Sequence, residues 1–318
     1  MHAIRLIDLS DGSEVPWPTD LRFALALGNF DGVHLAHRAL LTAAVQKAAS
    51  IESCRSAVFC FEPPSSYYLA RNFEGHLSTL QEKLAIFASC GIEYAFLADF
   101  PSLRDMTAET FIWQILRDVC HAEAVVCGFN FRFGQGGKGD FAMLKEAFGI
   151  SRTEVIAPYS IRLPDEQGEV IVSSTQIRTA LRCGDVCTAQ TMLGEPYRFT
   201  SPVVRGKQLG RTLGIPTVNQ FAPEGKLLPG EGIYVTRALI GSEWVGGVSN
   251  VGVHPTVDEH AVLNCETHLL CFEGDIYDSV VTIEFLQRLR DEKRFDTVQE
   301  LRDAIQKDIR TATEYFNH

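Results

Sequence analysis

The sequence predicts an α/β protein of two domains: a parallel sheet with helices over residues 1–184, then a small antiparallel β domain closing on a helix over 185–318. Three observations predict it. At 318 residues the chain is long enough for two ordinary domains, each with its own core. Its first half alternates short apolar runs with segments of helical periodicity, the pattern of a parallel sheet covered on both faces. After Pro196 the texture changes: Gly and Pro become frequent and β-rich runs follow one another, as in a small antiparallel barrel or sandwich.

Arg22–Leu27 reads as a strand, and His37–Ala49 then places Leu40, Leu41, Ala44, Val45 and Ala48 on one helical face. Ala57–Phe61 is a second apolar run. Ser78 and Gln81 have capping-box spacing and open an amphipathic stretch that ends at Gly91. The alternation continues through the strand Tyr94–Ala98, the helix Ala108–Val119 and the strands Ala124–Cys127 and Val155–Ala157. Ser173 and Gln176 repeat the capping-box spacing and start a helix reaching about Cys183. Gly184 and Asp185 mark the break between domains, and a short helical stretch runs on to Leu193. Strands follow at Ile233–Ile240, Trp244–Val248, Ala261–Phe272 and Ser279–Phe285. Thr297–Tyr315 closes the chain as an amphipathic helix with Leu301, Ile305 and Ile309 spaced four apart.

Composition narrows the class of function. Hydrophobic residues make up 46% and charged residues 22%, an ordinary soluble composition. No apolar run approaches a membrane span, and Met1–Ser10 lacks the features of a secretory signal, so a cytoplasmic location is expected. The nine cysteines have no metal-like spacing and read as reduced thiols. The net charge of −11 is shared, −5 over residues 1–184 and −6 over 185–318. Neither half offers the basic surface a nucleic acid needs, so any anionic ligand is small and held locally; a monomer or weak oligomer fits this charge.

The most informative segment of the first half is Gly28-Asn29-Phe30-Asp31-Gly32-Val33-His34-Leu35-Ala36-His37, joining the first strand to the first helix. Gly28 and Gly32 let the backbone approach a ligand, and the helix start offers free N–H groups and a positive dipole end to phosphate. Two histidines three apart there are neighbours, and both can donate to phosphate oxygens. The same residues also fit a glycine turn with one capping and one surface histidine.

In the second half, Arg205-Gly206-Lys207-Gln208-Leu209-Gly210-Arg211-Thr212-Leu213-Gly214 reads as a flap, with three glycines at intervals of four. Pro216 then fixes the chain before Thr217 and Asn219, which strand alternation puts on one face, where their oxygens could bind Mg²⁺. A turn held by the Thr217 and Asn219 side chains is the plainer reading. Along Leu263–Leu269, Asn264, Glu266 and His268 share the polar face.

Together these strings resemble the bacterial bifunctional riboflavin kinase/FMN adenylyltransferase (FAD synthetase) family. The first string resembles its G-x-F-D-G-x-H form of the nucleotidyltransferase H-x-G-H motif. Gly128-Phe129-Asn130-Phe131-Arg132-Phe133-Gly134 resembles its flavin-side loop, and Ser173-Ser174-Thr175-Gln176-Ile177-Arg178 its second nucleotide motif. Pro216-Thr217-Val218-Asn219 resembles the Pro-Thr-x-Asn core of riboflavin kinases, and the likeness continues through Asn250-Val251-Gly252, Glu266-Thr267-His268 and Leu289–Phe295. Gly134, Gly136 and Gly139 also fit a dinucleotide pattern, but inside this loop they lack the strand–turn–helix context it requires.

The resemblance implies a Rossmann-like nucleotidyltransferase domain followed by a riboflavin kinase β-barrel, making FMN from riboflavin and FAD from FMN with ATP and Mg²⁺. It implies that His34, His37 and Arg178 act on the ATP phosphates, with Gly28, Phe30, Asp31, Gly32, Ser174 and Thr175 around the nucleotide and Asn130 toward the flavin. In the kinase half it implies Gly206, Gly210 and Gly214 at ATP, Thr217 and Asn219 at the metal, and Glu266 as general base. The chain departs from the family pattern at Ala36, where a second glycine is usual and a methyl requires negative φ, and at Pro64, where a histidine is usual. Two alternatives accompany these departures: a riboflavin kinase carrying a degenerate adenylyltransferase domain, and a non-enzymatic flavin-binding protein.

Overall fold

The computed structural model describes residues 4–9, 21–71, 73–163, 168–205, 215–255 and 261–317. The chain forms two compact units, residues 1–74 with 78–173, and residues 75–77 with 174–318.

The first unit is built on a parallel sheet of β1 (Arg5–Asp8), β2 (Arg22–Leu27), β3 (Cys54–Phe61), β4 (Tyr94–Ala98), β5 (Ala122–Gly128) and β6 (Thr153–Ile156), in the order β1-β4-β3-β2-β5-β6. Side-chain alternation along β2 supplies both faces. Phe23, Leu25 and Leu27 point into one core with Phe111, Ile112, Leu116 and Leu144. Ala26 points into the other with Val58, Leu40, Leu41 and Ala44 of α1 (Leu35–Ala49), and Ile86 and Phe87 of α3 (Leu80–Ser89). A five-residue helix, α2 (Ser65–Leu69), lies between β3 and α3, and the unit is completed by α4 (Phe100–Leu103), α5 (Ala108–Thr110), α6 (Phe141–Phe148) and the antiparallel pair β7 (Ser160–Arg162) and β8 (Glu169–Ile171). The expected helix over 108–119 is helical throughout, but from Phe111 to Val119 it runs as a wider π-helix, with Cys120 N–H donating to Ile115 O at 2.8 Å.

One expectation is corrected. The capping box of α3 lies at Thr79 and Glu82, one residue beyond Ser78 and Gln81: Glu82 N–H donates to Thr79 Oγ1 at 3.3 Å, and Thr79 N–H donates to Glu82 Oε2 at 2.8 Å. Glutamate at the third helical position closes the box, and Ser78 is taken by another partner.

The strand order carries the functional consequence. Successive strands β2, β3 and β4 step one way across the sheet while β5 and β6 lie on the other side of β2, so the order reverses between β2 and β5. In open α/β sheets, ligands bind outside the carboxyl ends of the strands at this reversal. Gly28 follows β2 there, and Phe129 and Asn130 follow β5.

The second unit begins with α7 (Ser174–Arg182) and α8 (Val186–Leu193), so residues 174–184, which the sequence places with the first domain, pack with the second unit. Its antiparallel sheet comprises β9 (Tyr197–Pro202), β10 (Val218–Phe221), β11 (Gly232–Ile240), β12 (Glu243–Pro255), β13 (Ala261–Leu269) and β14 (Val280–Arg290), in the order β10-β13-β12-β11-β14-β9. Val204 N–H donates to Asn219 O at 2.8 Å just beyond β9, and this bridge joins the two edges into a barrel. Inside, the fully buried hydroxyls of Thr236, Ser249 and Thr267 are linked at 2.7 Å each, which satisfies them without water. Outside, the C-terminal helix Val298–Asn317 packs Ala312 and Ile309 on Val235, Val248 and Leu286. Arg290 ties that helix to β14, donating to Asp308 Oδ2 at 2.7 Å. Among the described residues, no helix is long and apolar enough to cross a membrane.

Candidate active sites

In the first unit, the loop after β2 is held open by its own contacts. Asp31 is buried and its Oδ1 accepts from Ser78 N–H at 3.2 Å, while Gly32 N–H donates to Ser78 Oγ at 2.9 Å. Gly32 has φ +83°, and Phe30 at φ +51° occupies a region that a bulky residue enters only under constraint. The Phe30 ring is fully buried against Phe87 and His37, and a Cβ at Gly28 would lie 3.3 Å from it. Asn29 Oδ1 accepts from Ser65 N–H and Oγ–H at 3.3 and 3.0 Å, fixing the loop to α2.

The two histidines are brought together. His34 is the N-cap of α1, its Nδ1 accepting from His37 N–H at 3.4 Å, and the two rings stack at 3.7 Å with planes 14° apart. Accepting at Nδ1 leaves the proton of neutral His34 on Nε2, where it can be donated onward. Burial lowers the His34 pKa to about 4, and burial, together with His34 and Lys83 nearby, holds His37 well below the usual imidazole value. Both rings are therefore neutral near pH 7. His37 Nδ1 is buried with no hydrogen-bond partner among the described residues.

Ala36 lies in the first turn of α1 with helical backbone, so its methyl carries no φ penalty. Where the family histidine is replaced, Pro64 caps α2, and Glu62 forms an ion pair with the fully buried Lys83. The sequence reads Ser78 only as a helix cap and passes over Lys83, since only the fold carries α3 to this loop.

Asn130 is exposed in the turn after β5, within 3.5 Å of where a Cβ on Gly128 would stand. The glycines that follow have steric causes of their own. A Cβ on Gly134 would meet the Ala108 backbone at 2.7 Å, and one on Gly139 would meet the Phe133 ring at 2.5 Å. Phe133 and Gly139 pair as a bridge, so this loop is a closed turn rather than the start of a dinucleotide-binding helix.

In the second unit, Ser174 and Thr175 form the first turn of α7, and Arg178 Nε donates to Gly75 O at 2.9 Å. Gly206, Gly210 and Gly214 lie outside the described residues.

Glu266 lies on β13 with Asn219 of β10 opposite it on one side and Asn250 of β12 on the other. Asn264 Nδ2 donates to Glu266 Oε1 at 3.3 Å, the contact expected of residues two apart on one face. Two clefts flank this row. A cleft of about 240 Å³ between the outer barrel face and the C-terminal helix is lined by Glu266, Asn250, Ile233, Val248, Leu301 and Ile305. The other, about 1000 Å³, is lined by Arg205, Pro216, Thr217, Thr267 and residues 271–277. Thr217 and His268 line both. His268 Nδ1 is 2.9 Å from Pro216 O, pinning the Pro-Thr segment to β13 at that junction.

A family model described as riboflavin kinase matches residues 193–316, and one described as FAD synthetase matches residues 18–176. The chain belongs to the bifunctional riboflavin kinase/FMN adenylyltransferase family. Proteins of that name from Haemophilus influenzae and Escherichia coli K12 are each 34% identical over 300 residues, covering 92% of this chain and 94% and 92% of theirs. The Bacillus subtilis protein is 32% identical, covering 92% of each chain. A solved structure described as a macrolide-efflux protein from Streptococcus pneumoniae is 28% identical, with a TM-score of 0.83 over 98% of this chain and 99% of its own. With both domains present, this member of the family is a two-activity transferase of FAD biosynthesis.

Proposed function

We propose that riboflavin is phosphorylated at the junction of the two clefts in the second unit, and that FMN is adenylylated at the carboxyl edge of the first unit's sheet. The observation that carries the kinase assignment is the position of Glu266, between Asn219 and Asn250 and beside the two residues shared by both clefts. The larger cleft suits ATP in volume, and the smaller, apolar on its helix side, suits the flavin ring system. The terminal ribityl hydroxyl gives its proton to Glu266 as its oxygen attacks the γ-phosphorus, and the bond to the β-phosphate oxygen breaks to release ADP. Thr217 and Asn219 offer neutral hard oxygens of the kind Mg²⁺ accepts, and both neighbour Glu266 or the shared lining. Bound there, the ion would neutralise charge on the transferring phosphoryl group.

In the first unit, a phosphate oxygen of FMN attacks the α-phosphorus of ATP and pyrophosphate leaves. Protein supplies alignment and charge stabilisation. His34 and His37, neutral and stacked at a helix N-terminus, would donate N–H to the triphosphate beside the backbone of Gly28, Phe30, Asp31 and Gly32. Asn130, at the end of β5 across the strand-order reversal, would meet the flavin side. We further propose that the chain works on these small ligands in the cytoplasm, as a monomer or weak oligomer, without nucleic acid or membrane.

Incubation with riboflavin, ATP and Mg²⁺, with the flavins resolved by chromatography over time, tests both halves. FMN appearing first and FAD after it is the expected result. FMN alone would select a kinase with a silent first domain, and no conversion with tight flavin binding would select a binding protein.

A further inference from the structure

Glu292 is used by neither reaction as derived above, yet it lines the same cleft as Glu266. It belongs to the segment between β14 and the C-terminal helix and is exposed, but its carboxylate is held in a defined place. Asn250 Nδ2 donates to Glu292 Oε1 at 3.4 Å. Gly252 makes room for it: a Cβ there would lie 3.1 and 3.3 Å from the two carboxylate oxygens. Asn250 is also the register partner of Glu266, so one amide side chain stands between two carboxylates on the same barrel face. The amide orientation is fixed by charge, because the reverse would set its carbonyl against the Glu292 carboxylate.

An ionised carboxylate has about four lone-pair sites and accepts readily from neighbouring hydroxyls. Glu292 has one amide donor among its described contacts; of the cations lining the cleft, Arg290 is bound to Asp308 and Lys293 lies over the Phe295 ring at 5.9 Å. This rests on the kinase reading above, which places a flavin with a polyhydroxylated chain in that cleft. We infer that Glu292, positioned by Asn250 and Gly252, is a specificity-determining residue that accepts hydrogen bonds from the secondary hydroxyls of the ribityl chain. Glu266 then receives the terminal hydroxyl alone. The inference concerns substrate selection, since a flavin bearing a plain hydroxyalkyl chain would still present its primary alcohol to Glu266.

The test compares riboflavin with 7,8-dimethyl-10-(5-hydroxypentyl)isoalloxazine, which keeps the terminal hydroxyl and lacks the three secondary ones. Kinetics of flavin phosphorylation and flavin fluorescence titrations are measured for wild type, Glu292→Gln, Glu292→Ala and Gly252→Ala. Wild type is expected to prefer riboflavin in kcat/KM. Glu292→Ala should raise the riboflavin KM roughly tenfold with kcat little changed, the size of one lost charge-assisted hydrogen bond. The analogue's KM should stay put, so the preference collapses. Gly252→Ala should shift selectivity the same way by displacing the carboxylate, and Glu292→Gln should fall between. Equal losses on both flavins, or unchanged selectivity in Glu292→Ala, would overturn the inference. Failure of wild type to phosphorylate either flavin would instead defeat the kinase reading itself. Fluorescence titration would then still show whether Glu292 discriminates the two chains: equal affinities in wild type and Glu292→Ala sink it.

Discussion

His34 caps α1 through Nδ1, which leaves Nε2–H outside the cap, and the proposed function gives that proton to the triphosphate. An asparagine can cap a helix but cannot replace the imidazole, so His34→Asn separates the two roles. It should keep the thermal midpoint within a few degrees while abolishing most FAD formation from FMN, read by chromatography. The depressed histidine pKa values also make stability depend on pH. A group whose folded pKa lies below its unfolded value binds more protons when unfolded, so stability is full above pH 6.5 and falls as pH drops toward 4 for His34. His37, lowered by burial and by its charged and imidazole neighbours, adds to the same loss. Urea midpoints measured between pH 7.5 and 5 should fall more steeply in wild type than in His34→Asn.

At the scale of elements, α3 positions the loop after β2 from outside it. Its capping box fixes where the helix begins, and Ser78, one residue earlier, accepts from Gly32 and donates to Asp31. Thr79→Ala removes one partner of that box and should cost about 1 kcal/mol of stability in chemical denaturation. Because the loop hangs from Ser78, KM for ATP in adenylylation should rise in the same variant while riboflavin phosphorylation, made on another unit, keeps its own constants. On the barrel, the equivalent positioning is by register. Asn219, Glu266 and Asn250 come from three strands far apart in sequence, and a one-residue slip of β13 would turn Glu266 into the interior now filled by Cys265 and Thr267.

For the molecule as a whole, two chemistries on two separate units should be separable by substitution. Glu266→Gln should lower FMN formation from riboflavin by about 10²–10⁴, the usual worth of a general base, while FAD formation from supplied FMN continues. His37→Ala should do the reverse, leaving FMN to accumulate. Product chromatography with riboflavin or FMN as the starting flavin reads both outcomes, and a variant that stopped both reactions would show that its residue had been assigned wrongly.

Read along the chain, the alternation of apolar runs was sufficient for the parallel sheet and the antiparallel barrel, because side-chain period and turn chemistry are local properties. Local motifs nominated Gly28–His37, Pro216–Asn219 and Glu266 as candidates, because each is a short string. Short or half-exposed elements such as Arg5–Asp8 and Ser160–Arg162 carry too little periodicity to be seen, and their pairing is decided by neighbours already in place. The partners of each site were out of reach for the same reason. Ser78 meets the Asp31 loop, Lys83 meets Glu62, and Glu292 settles over Gly252 beside Asn250, each across 21 to 47 residues of sequence. Local spacing was enough for the fold class and for nominating candidate groups, whereas which of those groups touch follows from strand order and register, which no local spacing encodes.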